Sequence, residues 1–174
     1  MNQLKRNLLN LFGSYKNFPK EGIVFCDILP VLQDPEVFHG LIQSMSQSEG
    51  IKNSDAIVAI DARGFIFGTA ISLHTKKPLI FARKPGKLPG HLISDSYSLE
   101  YGKNTLCIQS ESIKKYKSFS IVDDLLATGG TAACVEKMLL NQDKQVHELV
   151  VVVELEELQG KNKLHCEVKS QITL

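Results

Sequence analysis

The sequence has almost no excess charge of either sign. Its 20 Lys and Arg residues nearly balance 19 Asp and Glu residues, so the 174-residue chain carries a net charge of +1. Proteins that bind nucleic acid or an anionic membrane through a broad electrostatic field carry a much larger positive excess. We therefore expect neither nucleic acid nor a membrane as a partner, and an anion must bind to a local cluster of cations.

Long hydrophobic runs are also absent. No stretch approaches the roughly 20 consecutive apolar residues that a membrane-spanning helix requires. The first 17 residues lack the continuous apolar segment and the small-residue cleavage site of a signal peptide. These absences predict a cytoplasmic protein.

Cysteines are few, and the common cofactor motifs are missing. Cys26, Cys107, Cys134 and Cys166 lie far apart with no C-x-x-C pair, so neither a zinc site nor a thiol redox motif is indicated. The sequence also contains no G-x-x-x-x-G-K-[ST] phosphate loop and no G-x-G-x-x-G dinucleotide motif. A phosphate ligand would need a different kind of loop.

The chain does contain a regular alternation of apolar runs and helical segments. Five runs predict strands, at 56–60, 78–82, 105–109, 119–122 and 148–155. Apolar spacing or helix-start signals predict helices near 4–13, from Pro35, from Gly64 to His74, and from Thr131 to Leu140. Apolar strands separated by helices are typical of a parallel sheet covered on both faces. We predict a single α/β domain over residues 1–174.

One segment, residues 83–104, interrupts this alternation. Its first half places Arg83, Lys84 and Lys87 among scattered Gly and Pro residues. A loop of this length in a compact domain is uncommon and is usually functional. Its cations have no obvious acidic partners nearby, so we predict a flexible loop that becomes ordered when it closes over a ligand.

The strongest functional signal is the stretch IVDDLLATGGTAA, residues 121–133. Asp123 and Asp124 follow a run that we predict to end at Val122, and buried carboxylates are costly unless a ligand meets them. The loop after them opens a helix, where backbone N–H groups and glycines can form an anion cradle. Its residues are Ala127, Thr128, Gly129, Gly130 and Thr131. Vicinal hydroxyls beside a phosphate, as in a phosphorylated ribose, suit this arrangement.

A second stretch, IDARGFIFG at residues 60–68, ends a strand and opens a helix. The planar guanidinium of Arg63 suits phosphate oxygens, and Gly64 lets the backbone approach closely. Taken alone this pattern is weak. Together with the acidic stretch, it predicts a second loop that binds a diphosphate group.

These residues resemble a known family. VDDLLATGGT, at 122–131, resembles the signature by which type I phosphoribosyltransferases bind phosphoribosyl pyrophosphate. RKPGKLP and SLEYG, at 83–89 and 98–102, resemble the corresponding segments of the adenine phosphoribosyltransferases. NFPKEGIVFCDI and ELEELQGK, at 17–28 and 154–161, extend the resemblance over most of the chain.

The resemblance implies a type I phosphoribosyltransferase fold. This fold has a mainly parallel twisted sheet with flanking helices, and residues 1 to about 30 would form a small hood over the carboxyl ends of the strands. The implied reaction joins adenine to 5-phospho-α-D-ribose 1-diphosphate and gives AMP and diphosphate. Mg²⁺ would be the cofactor, bound through the substrate diphosphate with no direct side-chain ligand. The resemblance also implies a homodimer.

Residue roles come from the same resemblance. Asp123 and Asp124 would bind the ribose hydroxyls, and the loop 127–131 would bind the 5′-phosphate. Catalytic roles fall on Glu100, Arg63, Arg83 and Lys87, with Lys84 and Tyr101 in the same flexible loop. The base would lie against Val24, Phe25, Cys26 and Leu126.

Several positions depart from the family pattern, and two other functions stay open. Glu21 stands for a proline, Cys26 for an arginine, Asp61 for a glutamate, and Gln159 for a glycine. Because Cys26 falls where the base is expected, a hypoxanthine or guanine phosphoribosyltransferase is the first alternative. A non-catalytic regulator that binds phosphoribosyl pyrophosphate is the second, although a DNA-binding segment and a basic surface are missing.

Overall fold

The computed structural model of the chain describes residues 3–18, 20–22, 24–99 and 102–174, and a central sheet lies between two layers of helices. The helices are α1 (Gln3–Leu11), α2 (Pro35–Ser46), α3 (Glu49–Asn53), α4 (Gly64–Thr75), α5 (Ser110–Ile113) and α6 (Gly130–Leu140). The strands are β1 (Gly13–Lys16), β2 (Val24–Asp27), β3 (Ala56–Ile60), β4 (Leu79–Ala82), β5 (Leu92–Leu99), β6 (Gly102–Gln109), β7 (Ser118–Leu126), β8 (Gln145–Glu154) and β9 (Glu167–Thr173). None of the helices in the described ranges has the length and apolar character needed to cross a membrane.

The central sheet is parallel, and its five strands run in the order β4-β3-β7-β8-β9. Neighbouring residues of β8 enter different cores: Val151 packs with Val135 of α6, whereas Val150 packs with Phe67 of α4. This two-residue period, with helices on both faces, explains why β8 reads as an unbroken run of valines. The predicted α/β fold with a mainly parallel sheet is confirmed.

The predicted strand at 105–109 does not belong to the parallel sheet. It lies in β6, which pairs antiparallel with β5 along the whole length of both strands. β6 meets the sheet through a bridge between Arg83 and Cys107. Leu106 and Ile108 are buried in the same core as α6. The run at 105–109 is therefore apolar because it is buried, as predicted, but it pairs with β5 and not with a strand of the parallel sheet.

The fifth strand of the sheet is β9, which the sequence did not indicate. β9 is an edge strand, and only Ile172 is fully enclosed among its residues. Glu167 and Lys169 lie on its exposed side as an ion pair. Edge strands commonly carry charged residues that discourage further pairing. Such a strand has no continuous apolar run to reveal it.

The segment 83–104 is also more regular than the predicted loop. β5 occupies residues 92–99 and forms a hairpin with β6, so the irregular part runs from Arg83 to His91. The hairpin packs against α6. The described part of this segment is therefore a short basic loop followed by a strand.

The N-terminal residues form a helix and a small hairpin. β1 and β2 pair antiparallel from Gly13↔Asp27 to Lys16↔Val24. Leu8 of α1 is fully buried in the core on the α2 and α4 side of the sheet. This anchors the segment that carries β2 near the carboxyl end of β3.

Gly68 of α4 lies directly against β3. A Cβ atom at this position would lie 2.5 Å from the Cβ of Ala59, well inside ordinary contact. We expect Gly68→Ala to push α4 off the sheet and to lower the free energy of unfolding by about 1–3 kcal/mol, measured by urea denaturation.

Gly40→Ala in α2 is the matched control, because a Cβ there would meet Leu4 at an ordinary 3.5 Å. Alanine favours helix over glycine by up to about 1 kcal/mol, so we expect this variant to be unchanged or more stable. Equal destabilisation of the two variants would contradict the close packing of α4 on β3.

Candidate active site

The carboxyl ends of three neighbouring strands form the candidate active site. β4 lies beside β3, and β3 lies beside β7, so the residues that follow these strands meet at one edge of the sheet. The N–H of Asp61 donates to the carbonyl of Ala82 at 2.9 Å, which joins the ends of β3 and β4. The structure therefore brings together three stretches that the sequence singled out separately, near residues 60–68, 83–91 and 121–131.

Asp123 and Asp124 lie inside β7 rather than beyond its end. We predicted the strand to stop at Val122, whereas β7 pairs with β8 as far as Leu126↔Glu154. The long partner strand explains the difference, because continued pairing satisfies backbone groups that would otherwise be buried without partners. The longer strand places Asp124 at 5 % exposure.

Arg63 neutralises Asp124 without satisfying its hydrogen-bonding capacity. The Nε of Arg63 lies 2.8 Å from Oδ2 of Asp124. Its N–H is not aligned with that oxygen, and no donor among the described residues makes a hydrogen bond to it. The ion pair therefore compensates the buried charge of Asp124, and Oδ2 keeps hydrogen-bonding capacity that the described residues do not use.

Asp123 is held by its neighbour's backbone and by close packing. Its Oδ1 accepts a hydrogen bond from the N–H of Asp124 at 2.8 Å. The start of α4 is so near that a Cβ on Gly64 would lie 2.8 Å from the same oxygen. Burial raises the pKa of the Asp123 carboxyl well above its usual range, and the negative charge of Asp124 raises it further. The surroundings of Asp123 thus disfavour its ionised form, which hydrogen bonds from hydroxyl groups would stabilise.

The predicted anion loop leads from β7 into α6. Gly129 has a φ of 77°, a conformation that favours glycine, and α6 begins at Gly130. A cavity of about 90 Å³ lies at this turn. Its lining includes Asp123 and all five predicted loop residues, Ala127, Thr128, Gly129, Gly130 and Thr131. The N-terminus of an 11-residue helix therefore borders a cavity that has a carboxylate on its other side.

Gly160 supports this loop from behind, a role that the sequence did not reveal. A Cβ at Gly160 would lie 2.1 Å from the carbonyl oxygen of Ala127, and a Cβ at Gly129 would lie 2.2 Å from the carbonyl oxygen of Gly160. Two backbones thus meet where no side chain fits. The sequence shows this glycine in the stretch Leu158-Gln159-Gly160-Lys161, but no local pattern there indicates a contact with the loop 127–131.

Glu136 fixes the segment that carries Gly160. This buried carboxylate of α6 accepts hydrogen bonds from the N–H groups of His165 and Cys166, at 3.0 and 2.6 Å. The helix that begins at the anion loop therefore also holds the chain that supports the loop. Burial, followed by the Glu136 charge, raises the pKa of the Cys166 thiol to about 12.

Arg83 has an acidic partner, contrary to the expectation for the basic loop. Its Nε donates to Oδ2 of Asp61 at 3.0 Å, and its guanidinium carbon lies 5.4 Å from the centre of the Phe65 ring. Asp61 thus holds the Arg83 side chain near the end of β3. Lys84 and Lys87 are exposed, and the carbonyl of Lys87 accepts from Arg83 at 3.5 Å.

The N-terminal β1–β2 hairpin contributes Phe25, whose ring centre lies 5.6 Å from the guanidinium carbon of Arg63. Phe18 packs edge-on against Phe25 at 5.2 Å and widens this aromatic surface. Cys26 is partly buried, and burial, then Asp27, raises the pKa of its thiol. Val24 is 62 % exposed, so it encloses nothing in the free protein.

Leu126 differs from the other predicted base contacts. It is 2 % exposed and belongs to the core on the α6 side of the sheet. Its neighbour Leu125 is only partly buried, and it packs against the opposite core, which Cys26 also contacts. Because adjacent strand residues face opposite sides, Leu125 is better placed than Leu126 to meet a base beside Cys26. Glu100 and Tyr101 lie outside the described residues.

Comparisons with known proteins agree with this geometry. Residues 32–172 match the phosphoribosyl transferase domain family. The adenine phosphoribosyltransferase of Prochlorococcus marinus (strain MIT 9515) is 54 % identical over 170 residues, which cover 98 % of this chain and 99 % of the relative. That of Mycoplasmopsis agalactiae is 49 % identical over 150 residues, or 86 % of this chain and 87 % of the relative. The chain belongs to the adenine phosphoribosyltransferase family.

A solved structure of this family supports the same conclusion. The adenine phosphoribosyltransferase from Saccharomyces cerevisiae is 34 % identical, with a TM-score of 0.92 over 99 % of this chain and 100 % of that chain. That protein was crystallised with D-2,5-dideoxy-2,5-imino-altritol 1,6-bisphosphate and adenine. The comparisons therefore confirm both the family and the fold that the sequence motifs predicted.

The raised pKa of Asp123 gives a pH-dependent prediction. The folded state holds the proton of this carboxyl more tightly than the unfolded state. The free energy of unfolding therefore decreases as the pH rises above the pKa that Asp123 has in the unfolded state. We expect Asp123→Asn, which can still accept from the N–H of Asp124, to unfold at a higher temperature than wild type at pH 7. The difference should shrink as the pH falls towards 4.

Asp55→Asn is the control of opposite sign. Hydrogen bonds from the N–H groups of Lys117 and Ser118 lower the pKa of Asp55, so its ionised form stabilises the fold. This variant should be less stable than wild type at pH 7, again with a difference that fades in acid. If Asp123→Asn were less stable than wild type at pH 7, burial would not disfavour the ionised form of Asp123.

Proposed function

We propose that this protein transfers the phosphoribosyl group of 5-phospho-α-D-ribose 1-diphosphate to adenine, giving AMP and diphosphate. The observation that carries the proposal is the meeting, at one edge of the sheet, of two adjacent carboxylates, a cavity at a helix N-terminus and two arginines at the adjoining strand ends. Membership in the adenine phosphoribosyltransferase family supports the same reaction.

The ribose and its phosphate fit the acidic strand and the loop after it. Hydroxyl groups of the ribose would donate to Asp123 and Asp124, and such hydrogen bonds would favour the ionised form of Asp123, whose pKa is otherwise raised. The 5′-phosphate would accept from N–H groups of the loop 127–131, where the dipole of α6 favours negative charge. Gly160 keeps that loop in shape by backbone contact.

Arg63 and Arg83 would stabilise the diphosphate leaving group. As the bond from the ribose to diphosphate breaks, negative charge grows on the diphosphate oxygens, and preorganised cations are usually the largest catalytic contribution. Both arginines are held at the strand ends by Asp124 and Asp61. Lys87, exposed on the basic loop, would add a third cation.

Adenine would lie beside the hood, against Phe25 and the neighbouring Cys26. The 6-amino group of adenine is a hydrogen-bond donor and needs an acceptor such as a backbone carbonyl. A 6-oxo purine needs a donor, and replacing the family arginine by Cys26 removes one. Adenine therefore suits this surface better than hypoxanthine or guanine.

Mg²⁺ is proposed as the cofactor. The described residues contain no group of three or more His, Cys, Asp or Glu side chains that could hold a metal ion. Mg²⁺ prefers oxygen ligands and keeps several waters, and the oxygens of the substrate diphosphate would supply such ligands. The ion would therefore be held mainly by the substrate, and it would neutralise charge on the diphosphate.

Further predictions rest on the resemblance alone. Glu100 is proposed as an acid that assists proton movement on the base or stabilises the cationic ribose, with Lys84 and Tyr101 in the same segment. Movement of the segment 83–104 over the substrates would exclude water from the activated ribose. A homodimeric state and a cytoplasmic location also stay predictions.

The decisive experiment is an assay of diphosphate release with adenine, hypoxanthine and guanine. A site built to hydrogen-bond one substituent rejects the wrong one by ~10⁴ or more, so kcat/KM for adenine should exceed the others by a factor of this order. Chelation of Mg²⁺ should abolish release, and added Mg²⁺ should restore it. Comparable values for a 6-oxo purine would favour the alternative reaction, and binding without release would favour a regulator.

The acidic pair can be tested by binding. Replacing both Asp123 and Asp124 by Asn removes charge-assisted hydrogen bonds of about 1.5–3 kcal/mol each. We expect the Kd for 5-phospho-α-D-ribose 1-diphosphate, measured by calorimetry, to rise at least about 100-fold. Asp55→Asn, a carboxylate at the opposite end of β3, is the control and should bind as wild type. Unchanged binding by the double variant would mean that the ribose lies elsewhere.

A further inference from the structure

Strand β5 lies along helix α6 and holds it at two points. Asp95 of β5 pairs with Lys137 of α6 at 2.8 Å, and Tyr97 reaches Thr131 at the helix start. Asp95 and Tyr97 are two residues apart, hence on one face of the strand, about 7 Å from each other. Thr131 and Lys137 are about 9 Å apart along the helix. The two spacings are similar, so one face of β5 lies along the first two turns of α6.

Tyr97 contacts the anion loop itself. The hydroxyl of Thr131 donates to the Tyr97 hydroxyl oxygen at 3.0 Å. A Cβ on Gly130 would lie 3.1 Å from the Tyr97 ring, so the ring lies flush against the backbone at the first residue of α6. The ring is partly buried and packs against the core on the α6 side. No other role assigned to the site uses this tyrosine.

We propose that Tyr97 is a positioning residue that couples phosphate binding at the loop 127–131 to the placement of the β5–β6 hairpin. The inference rests on the proposed function only in taking that loop as a phosphate site. Tyr97 acts through Thr131 and does not touch the substrate.

The coupling follows from the ability of a hydroxyl group both to donate and to accept a hydrogen bond. Without ligand, the Thr131 proton points to Tyr97. A phosphate on the loop takes that proton in a stronger, charge-assisted hydrogen bond. The Tyr97 hydroxyl then turns from acceptor to donor, and its proton points to the Thr131 oxygen. Hydrogen bonds in such a chain strengthen one another, so bound phosphate fixes Tyr97 and with it β5.

The same linkage works in reverse. If phosphate strengthens the contact between Tyr97 and Thr131, that contact must strengthen phosphate binding by the same factor. Losing it should therefore weaken phosphate affinity and also remove the effect of phosphate on the hairpin. A tyrosine that only filled space would produce neither effect through its hydroxyl.

Tyr97→Phe tests the proposal, because it keeps the ring against Gly130 and removes only the hydroxyl. The probe is ribose 5-phosphate, which carries the phosphate but cannot react. Calorimetry gives its Kd, and amide hydrogen exchange reports on β5 and β6 with and without it. Tyr116→Phe is the matched control, since Tyr116 packs against Phe119 at the end of β7 opposite to the anion loop.

In wild type and Tyr116→Phe, ribose 5-phosphate should slow exchange across residues 92–109. In Tyr97→Phe we expect that slowing to fall by half or more and the Kd to rise about 3- to 10-fold, the effect of one hydrogen bond. The Thr131→Val background should abolish the effect of Tyr97→Phe on the Kd, because the partner is gone. With adenine present, Tyr97→Phe should raise KM for the phosphoribosyl donor more than it lowers kcat.

Three results would overturn the coupling. The first is a Tyr97→Phe variant with wild-type Kd and wild-type slowing of exchange, and the second is a wild-type protein that does not bind ribose 5-phosphate. An equal effect of Tyr97→Phe with and without Thr131→Val would also overturn it, because the tyrosine would then act by another route. If the binding results hold but no purine is converted, the coupling stands and the proposed reaction fails.

Discussion

The pairing of Arg63 with Asp124 is the interaction on which the rest of the site depends. It joins the residues after β3 to the carboxyl-terminal part of β7 across a distance of 2.8 Å and lets a carboxylate stay within a strand at 5 % exposure. Without the cation, a buried charge of this kind would be prohibitive. The pair also positions Arg63 beside Phe25 of the N-terminal hairpin. One guanidinium therefore contacts elements of all three regions proposed for the ribose, the diphosphate and the base.

Close backbone contact sets the accuracy of this arrangement. Gly64 lets α4 start against Asp123, and Gly129 meets Gly160 with no room for a side chain on either. Such contacts keep the carboxylates, the anion loop and the first turn of α6 at fixed separations. Reacting groups held in a fixed geometry lower a barrier far more than the same groups on mobile chains. The glycines therefore contribute to function through geometry, although they carry no chemistry of their own.

Much of this could be predicted from the sequence, and the failures have physical causes. Continuous Val and Ile runs indicated the strands that helices cover on both faces, and adjacent acids before Thr-Gly-Gly-Thr indicated the ligand. The edge strand β9 was missed because it is polar, and β6 was given the wrong partner because burial does not reveal pairing. Gly160 and Tyr97 act on the loop from distant parts of the chain. No local pattern records such contacts.

The two ion pairs also constrain how a ligand binds. Asp124 and Asp61 contact Arg63 and Arg83 through Nε, which leaves terminal guanidinium nitrogens as further donors. A diphosphate would therefore bind at those nitrogens while the carboxylates keep both arginines in place. The carboxylates offer acceptors only, which hydroxyl groups suit and phosphate oxygens do not. Selectivity for a donor that carries both groups then follows from the acids that hold the arginines, not only from the arginines themselves.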